Sequence, residues 1–271
     1  MSVNAGASGE REGVDKETSV TPLSVTPPSV TPPSMTPQQR ELTEKRGLSA
    51  YREFAFGSGG LPAWLWFETY QLLATLPGVL GYGTRMMALP TILRGCGTKP
   101  AVGRGLTLRR PSQVTFGNRV VIDELVSLEV RGDRGSIVLS DRVSLGRLST
   151  VVAKQCNIEF GPGCNIGSYC RIASESGIVF GESVLVAAYA YIGAGNHQHG
   201  SDGKPLIEQR MDLRGGVRIG DHAWIGAGAM VMDGVQIGAR AIIGAQSLVT
   251  EDVPADAVVV GTPARVVKRR E

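Results

Sequence analysis

From Val114 onward the chain repeats itself every six residues. Cut in that phase it reads VTFGNR, VVIDEL and VSLEVR, then after a short insert IVLSDR, VSLGRL and STVVAK. IEFGPG, CNIGSY and CRIASE come next, then IVFGES, VLVAAY and AYIGAG. Beyond a longer interruption it resumes as VRIGDH, AWIGAG, AMVMDG, VQIGAR, AIIGAQ and SLVTED. The first residue of each of these eighteen hexads is aliphatic or small, and the third is nearly always Ile, Leu, Val or Phe. Apolar positions two apart, recurring every six, match neither the 3.6-residue period of a helix nor the alternation of a long strand. They match a short strand followed by a bend of a third of a revolution, so three hexads close one triangular coil. The predicted fold is an all-β solenoid, a parallel β-helix of about six coils, with third residues filling the axis and first residues in tighter space. Stacked at about 4.8 Å per coil, such a prism stands about 30 Å tall.

The interruptions carry a second message. They are GDRGS, QCN, SG and the 21 residues from Asn196 to Gly216, and each follows the third hexad of a coil. All therefore leave the prism at one corner. A loop as long as 196–216 is uncommon in a compact solenoid and is more often functional than incidental. It also holds His197 and His199, two of the three histidines in the chain.

The rest of the chain divides into two segments. Residues 1–45 contain SVTPLSVTPPSVTPPSMTPQ, whose dense proline blocks helix and ladder and whose apolar content is too low to offset ordering entropy. A disordered leader is expected there, with no basic start and apolar run of the kind a secretory signal needs. Residues 46–101 form an apolar segment whose core, 61–93, has Glu68 and Arg85 as its only charges. Prolines 62, 77 and 90 interrupt it too often for one spanning helix of about 20 residues. Two readings stand equal: a helix lying in the membrane interface, with Arg52, Arg85, Arg94 and Lys99 favouring anionic headgroups, or a helical cap over the open end of the solenoid. Residues 102–271 are the expected β-helix domain. A net charge of +3, dispersed along the chain, gives no concentrated basic face for nucleic acid. Cys164 and Cys170, one hexad apart and outside any Cys-x-x-Cys pair, read as core thiols of a reducing compartment. The expected location is cytoplasmic, peripheral at the inner face of the plasma membrane if the apolar segment meets lipid.

The stretches GAGNH at 193–197, PLIEQ at 205–209, IGDHAWIGAGAMV at 219–231 and VVVGTPARVVK at 258–268 resemble the hexapeptide-repeat acyltransferases. The likeness covers residues 102–271 and is greatest to the maltose, galactoside and exopolysaccharide O-acetyltransferase branch. It implies a left-handed β-helix, a homotrimer with active sites between neighbouring prisms, and acetyl-CoA as co-substrate. It places His197 where the family has its catalytic histidine. It also matches His199, Glu175 and Gln209 to the acceptor side, and His199, two residues beyond His197, is the reserve candidate for the base. Trp224 and Ala227 match positions along the pantetheine arm, Ala245 and Thr250 match contacts further down the groove, and Arg265 and Lys268 match basic residues near the CoA phosphates. One departure is Gly167, which aligns where the sugar enzymes carry an asparagine that helps place the acceptor hydroxyl.

The chemistry agrees with that placement. Transfer from a thioester to a hydroxyl needs a base of near-neutral pKa and a donor for the tetrahedral oxyanion, and histidine is the natural base. No Ser or Cys stands beside His197 in a nucleophile motif, which favours direct transfer. The implied activity is O-acylation of a sugar or glycan hydroxyl. N-acylation of an amino sugar and serine O-acylation are the alternatives within the fold, and a zinc-dependent hydratase or a silent scaffold the alternatives outside it. His197, His199 and Asp202 could ligate zinc, but a His-x-His pair alone is a weak signal, so no metal is expected. His222 lies in a hexad turn and reads as a surface residue.

Overall fold

The computed structural model describes residues 47–57, 59–198, 203 and 205–270, except for the side chains of 196 and 197. The proposed leader lies outside them. The repeating region is a parallel solenoid with three faces. Its first face runs from Gly95–Cys96 through Val114–Phe116 to Gln236–Ile237. The second runs from Ala101–Val102 to Ala257–Val260, where Arg265–Arg269 adds an antiparallel edge. The third runs from Thr107–Arg109 to Leu248–Val249. The first and third faces each hold seven strands, which makes seven full coils.

That is one coil more than the hexads from Val114 supply, and it puts the start of the solenoid at Gly95 rather than 102. The extra coil reads RGCGTK, PAVGRG and LTLRRP. Gly95 and Cys96 pair with Thr115 and Phe116, so Arg94 and Pro100 stand at first positions and Cys96 at a third. Those substitutions erase the apolar signal while the backbone register survives.

The hexad pattern has a direct physical cause. Third residues such as Ile122, Ile166 and Ile225 point inward and are buried, and Phe160 stacks on Phe180 one coil away with ring centroids 4.6 Å apart. The sixth residue turns the corner in the left-handed region, with φ near 60° at Arg119, Tyr169 and His222 among others. The fourth is usually glycine because coils meet there: a Cβ on Gly226 would lie 2.6 Å from the Ala245 amide nitrogen.

Three helices cover the first coil: α1 (Leu48–Ala55), α2 (Leu61–Leu73) and α3 (Gly78–Ile92). Pro62 at the start of α2 needs no intrahelical N–H. The inner faces of α2 and α3 bury Phe67, Tyr70, Ala88 and Leu89, with Ala74 just past the end of α2, in the same core as Val102, Leu106 and Leu108 of the first coil. The apolar segment is therefore a cap. Buried Arg85 reaches across this junction and donates to the carbonyls of Val102 at 2.9 Å and Leu76 at 2.8 Å.

Candidate active site

The 196–216 arm begins where the third-face strand Tyr191–Ala194 ends at Gly195. Asn196–His197 then pairs antiparallel with Met211–Asp212, placing Asn196 opposite Asp212 and His197 opposite Met211. The Gln198 amide donates to the Arg210 carbonyl at 2.8 Å, extending the pairing by one rung. The backbone of His197 is thus held in a short ladder just beyond the coil. Its side chain, and His199 and Asp202 altogether, lie outside the described residues. Gln209 follows a 3-10 turn at Leu206–Glu208 and precedes Arg210, so it stands on the return limb opposite the histidine stretch.

Glu175 stands at the root of the arm. Its amide donates to the Ala194 carbonyl at 2.7 Å, and a Cβ built on Gly195 would meet the Glu175 Cβ at 3.2 Å and Met211 Cε at 3.4 Å. Its carboxylate takes a hydrogen bond from Lys154 Nζ at 2.6 Å. Lys154 and Glu175 share the sixth hexad position in successive coils, a pairing the register could have revealed.

The return of the arm is fastened by a residue that the sequence does not flag. Asp233 is buried at the same corner, on the third-to-first turn of the next coil. Its Oδ1 accepts from Ser176 Oγ at 2.9 Å and from the Gly216 amide at 2.9 Å, while Oδ2 accepts from the Arg214 amide at 2.9 Å. One carboxylate therefore joins the turn after Glu175 to the two residues that bring the arm back into the solenoid.

The residues matched to the CoA side divide among three places. Ala227 and Ala245 stack at the corner between second and third faces, where the Gln246 amide donates to the Ala227 carbonyl at 2.8 Å. Trp224, 47% exposed, lies beside them on the second face between Leu185 and Ile242. Lys268 belongs to the same column, since Trp224 pairs with Ile242, Ile242 with Val258 and Val258 with Lys268. Three strand spacings put the two about 14 Å apart. Arg265 also lies on that edge strand, donating to the Ala264 carbonyl and lying 3.5 Å from Glu251 Oε1. Thr250 is a face away, at the corner from which the arm springs.

Other features place themselves outside this site. A hollow of about 670 Å³ lies between α3 and the second face and is lined by Tyr82, Arg85, Val121, Asp123 and Asn165. It includes no histidine, and its Arg85 is committed to backbone carbonyls. His222 is an exposed corner residue at φ 60°. Among the described residues no three His, Cys, Asp or Glu side chains group as a metal site. The four cysteines are free; burial pushes the thiols of Cys164 and Cys170 up.

Residues 216–251 match the family model described as bacterial transferase hexapeptide (six repeats). A probable acetyltransferase of Mycobacterium tuberculosis is 29% identical over 164 residues, covering 60% of this chain and 54% of that protein. The chain thus spans about half the length of that relative. Nodulation protein L of Rhizobium leguminosarum bv. viciae is 32% identical over 140 residues, 49% of this chain and 72% of the relative. Among solved structures, the polySia specific acetyltransferase NeuO superposes with a TM-score of 0.50 at 21% identity, over 64% of this chain and 74% of that one, a likeness of fold. With a third of the residues shared across most of the Rhizobium protein and the hexapeptide coils in register, the chain belongs to the hexapeptide-repeat acyltransferase family.

Proposed function

We propose that this protein is an acetyl-CoA-dependent O-acyltransferase that modifies a hydroxyl of a sugar or glycan. The observation that carries the reading is the arm itself: a laddered histidine, His197, held just outside the coil at the corner where Glu175 stands. In this reading His197 takes the acceptor O–H proton, and the oxygen attacks the thioester carbonyl. The tetrahedral intermediate collapses as the C–S bond breaks, and the CoA thiolate takes back the proton from the imidazolium. The residues present suit such a co-substrate. Ala227 and Ala245 keep the corner open beside an exposed indole, and Lys268 and Arg265 offer charge to phosphates further along the same face. A homotrimer would bring a neighbouring prism against these surfaces.

A second reading, serine O-acylation or N-acylation of an amino sugar, is favoured by one feature. A Cβ on Gly167 would lie 2.6 Å from the Ala188 amide nitrogen, so the position aligned with the sugar enzymes' asparagine has no room for a side chain. Gly167 also sits at the second-to-third corner, away from Glu175. Thiol release from acetyl-CoA across a panel of glycans, amino sugars and serine, with the product tested for alkaline lability, separates the readings. Ester products from glycans are expected; turnover confined to amines or to serine would replace the first reading with the second.

A further inference from the structure

The cap has an outer face that no packing explains. Leu65 and Leu72 stand two residues from the buried Phe67 and Tyr70, about 200° around α2 and so on its far side. Leu72 is 74% exposed, Val79 87%, Leu80 82% and Met87 80%, and Leu65 and Leu76 are exposed beside them. α2 and α3 form a hairpin through the Thr75–Pro77 turn, pinned on its outer side by Trp66 Nε1 donating to Thr91 Oγ1 at 2.7 Å. This face carries no charge. Glu68, the sole acid of the segment, accepts from the Trp64 indole at 2.9 Å, and Arg85, its sole cation, is buried.

In the first coil, beneath that uncharged face, the charge has one sign. The first coil, residues 94–110, contains Arg94, Lys99, Arg104, Arg109 and Arg110 and no acid. Arg109 and Arg110 are paired, with Glu129 and Asp133. Arg94, Lys99 and Arg104 are exposed and have no carboxylate partner among the described residues. Arg94 follows directly on the end of α3, at the base of the hairpin. Arg104 lies at its tip, in a hollow shared with Pro77, Gly78 and Tyr82 and with Asp123 and Glu124 of the next coil, where Asp123 is paired with Arg147. Unpaired cations thus stand at both ends of an apolar surface built from two helices of 13 and 15 residues. No helix among the described residues is long and apolar enough to cross a membrane. A surface of this kind suits a bilayer interface, where leucine and methionine enter the acyl boundary and arginine and lysine meet anionic headgroups.

We infer that the outer face of the α2–α3 hairpin docks the protein flat on an anionic lipid membrane, so that one element both seals the solenoid and fixes it to the surface. The test is sedimentation of the full chain with vesicles of phosphatidylcholine, with and without phosphatidylglycerol, alongside thermal unfolding and light scattering. The wild type should bind the anionic vesicles. Leu72→Glu with Leu80→Glu should lower partitioning on the order of a hundredfold. Arg94→Gln with Arg104→Gln should lower it about tenfold on anionic vesicles alone. Neither pair should shift the unfolding midpoint, because all four side chains are exposed. A wild type that ignores anionic vesicles overturns the inference, as does leucine-to-glutamate replacement that leaves binding unchanged. If that replacement instead lowers the oligomeric mass of a protein that does not bind lipid, the face joins copies of the chain.

Discussion

Replacing Asp233 with alanine should loosen the histidine-bearing arm without dismantling the solenoid. The carboxylate accepts three hydrogen bonds, and their settings differ. The bond from the Gly216 amide is buried, so removing its acceptor leaves an orphan donor at a cost of about 1–3 kcal/mol. The bonds from the Arg214 amide and Ser176 Oγ are partly buried, where water replaces some of the loss, at about 0.5–1.5 kcal/mol each. The sum is about 2–6 kcal/mol. It should be felt locally, because each coil of a solenoid contacts only its neighbours. Amide exchange at Gly216 and Arg214 should therefore rise at least about thirtyfold, the equivalent of the lower bound. Amides in the first four coils should keep their protection. Asparagine should fall between, since its NH2 group must face either the Arg214 N–H or the Gly216 N–H with the serine hydroxyl, while its oxygen keeps the other side. Unchanged exchange at Gly216 in the alanine variant would refute the idea that Asp233 fastens the arm.

Two further outcomes follow from charge. Burial raises the Glu129 carboxyl, but hydrogen bonds and charge from Arg131, Arg109 and Ser127 outweigh it and hold the group below its ordinary 4.5. A depressed folded value means this stabilisation is complete above the unfolded pKa and is lost as pH falls through the folded one. Unfolding midpoints should thus drop below about pH 4.5, less steeply in Glu129→Gln. Neutralising Arg265 and Lys268 together should raise KM for acetyl-CoA more than it lowers kcat, a contact shared by ground and transition states; steady-state kinetics that leave KM unmoved would place the phosphates elsewhere.

How much of this was legible beforehand depends on which force acts at each position. Third-position aliphatics such as Ile166 and Ile225 face the axis, so hydrophobicity alone reports them and the coils from Val114 onward read cleanly. The first coil was invisible because Arg94, Pro100 and Cys96 occupy its diagnostic positions, held in place by parallel pairing to the next coil. The cap was ambiguous for a different reason: α2 and α3 are apolar on both faces, and periodicity cannot separate a face turned to the core from one turned outward. His222 reads from its hexad position as a turn residue, and its φ of 60° marks a corner. Asp233 escaped notice because a fifth-position aspartate looks like any solvated corner, and only the returning arm gives it partners. Lys154 has no signal of its own type, and only its shared hexad register with Glu175 points to their pairing.

Whether the arm presents a histidine base to an acyl acceptor is decided by His197→Ala. Acetyl transfer to the acceptor identified for the wild type should be followed by thiol release, together with CoA binding by calorimetry. A drop in kcat of about 10²–10⁴-fold is expected, with unchanged CoA affinity and unfolding midpoint. Turnover within a few-fold of the wild type, or a loss that follows His199→Ala instead, would contradict it.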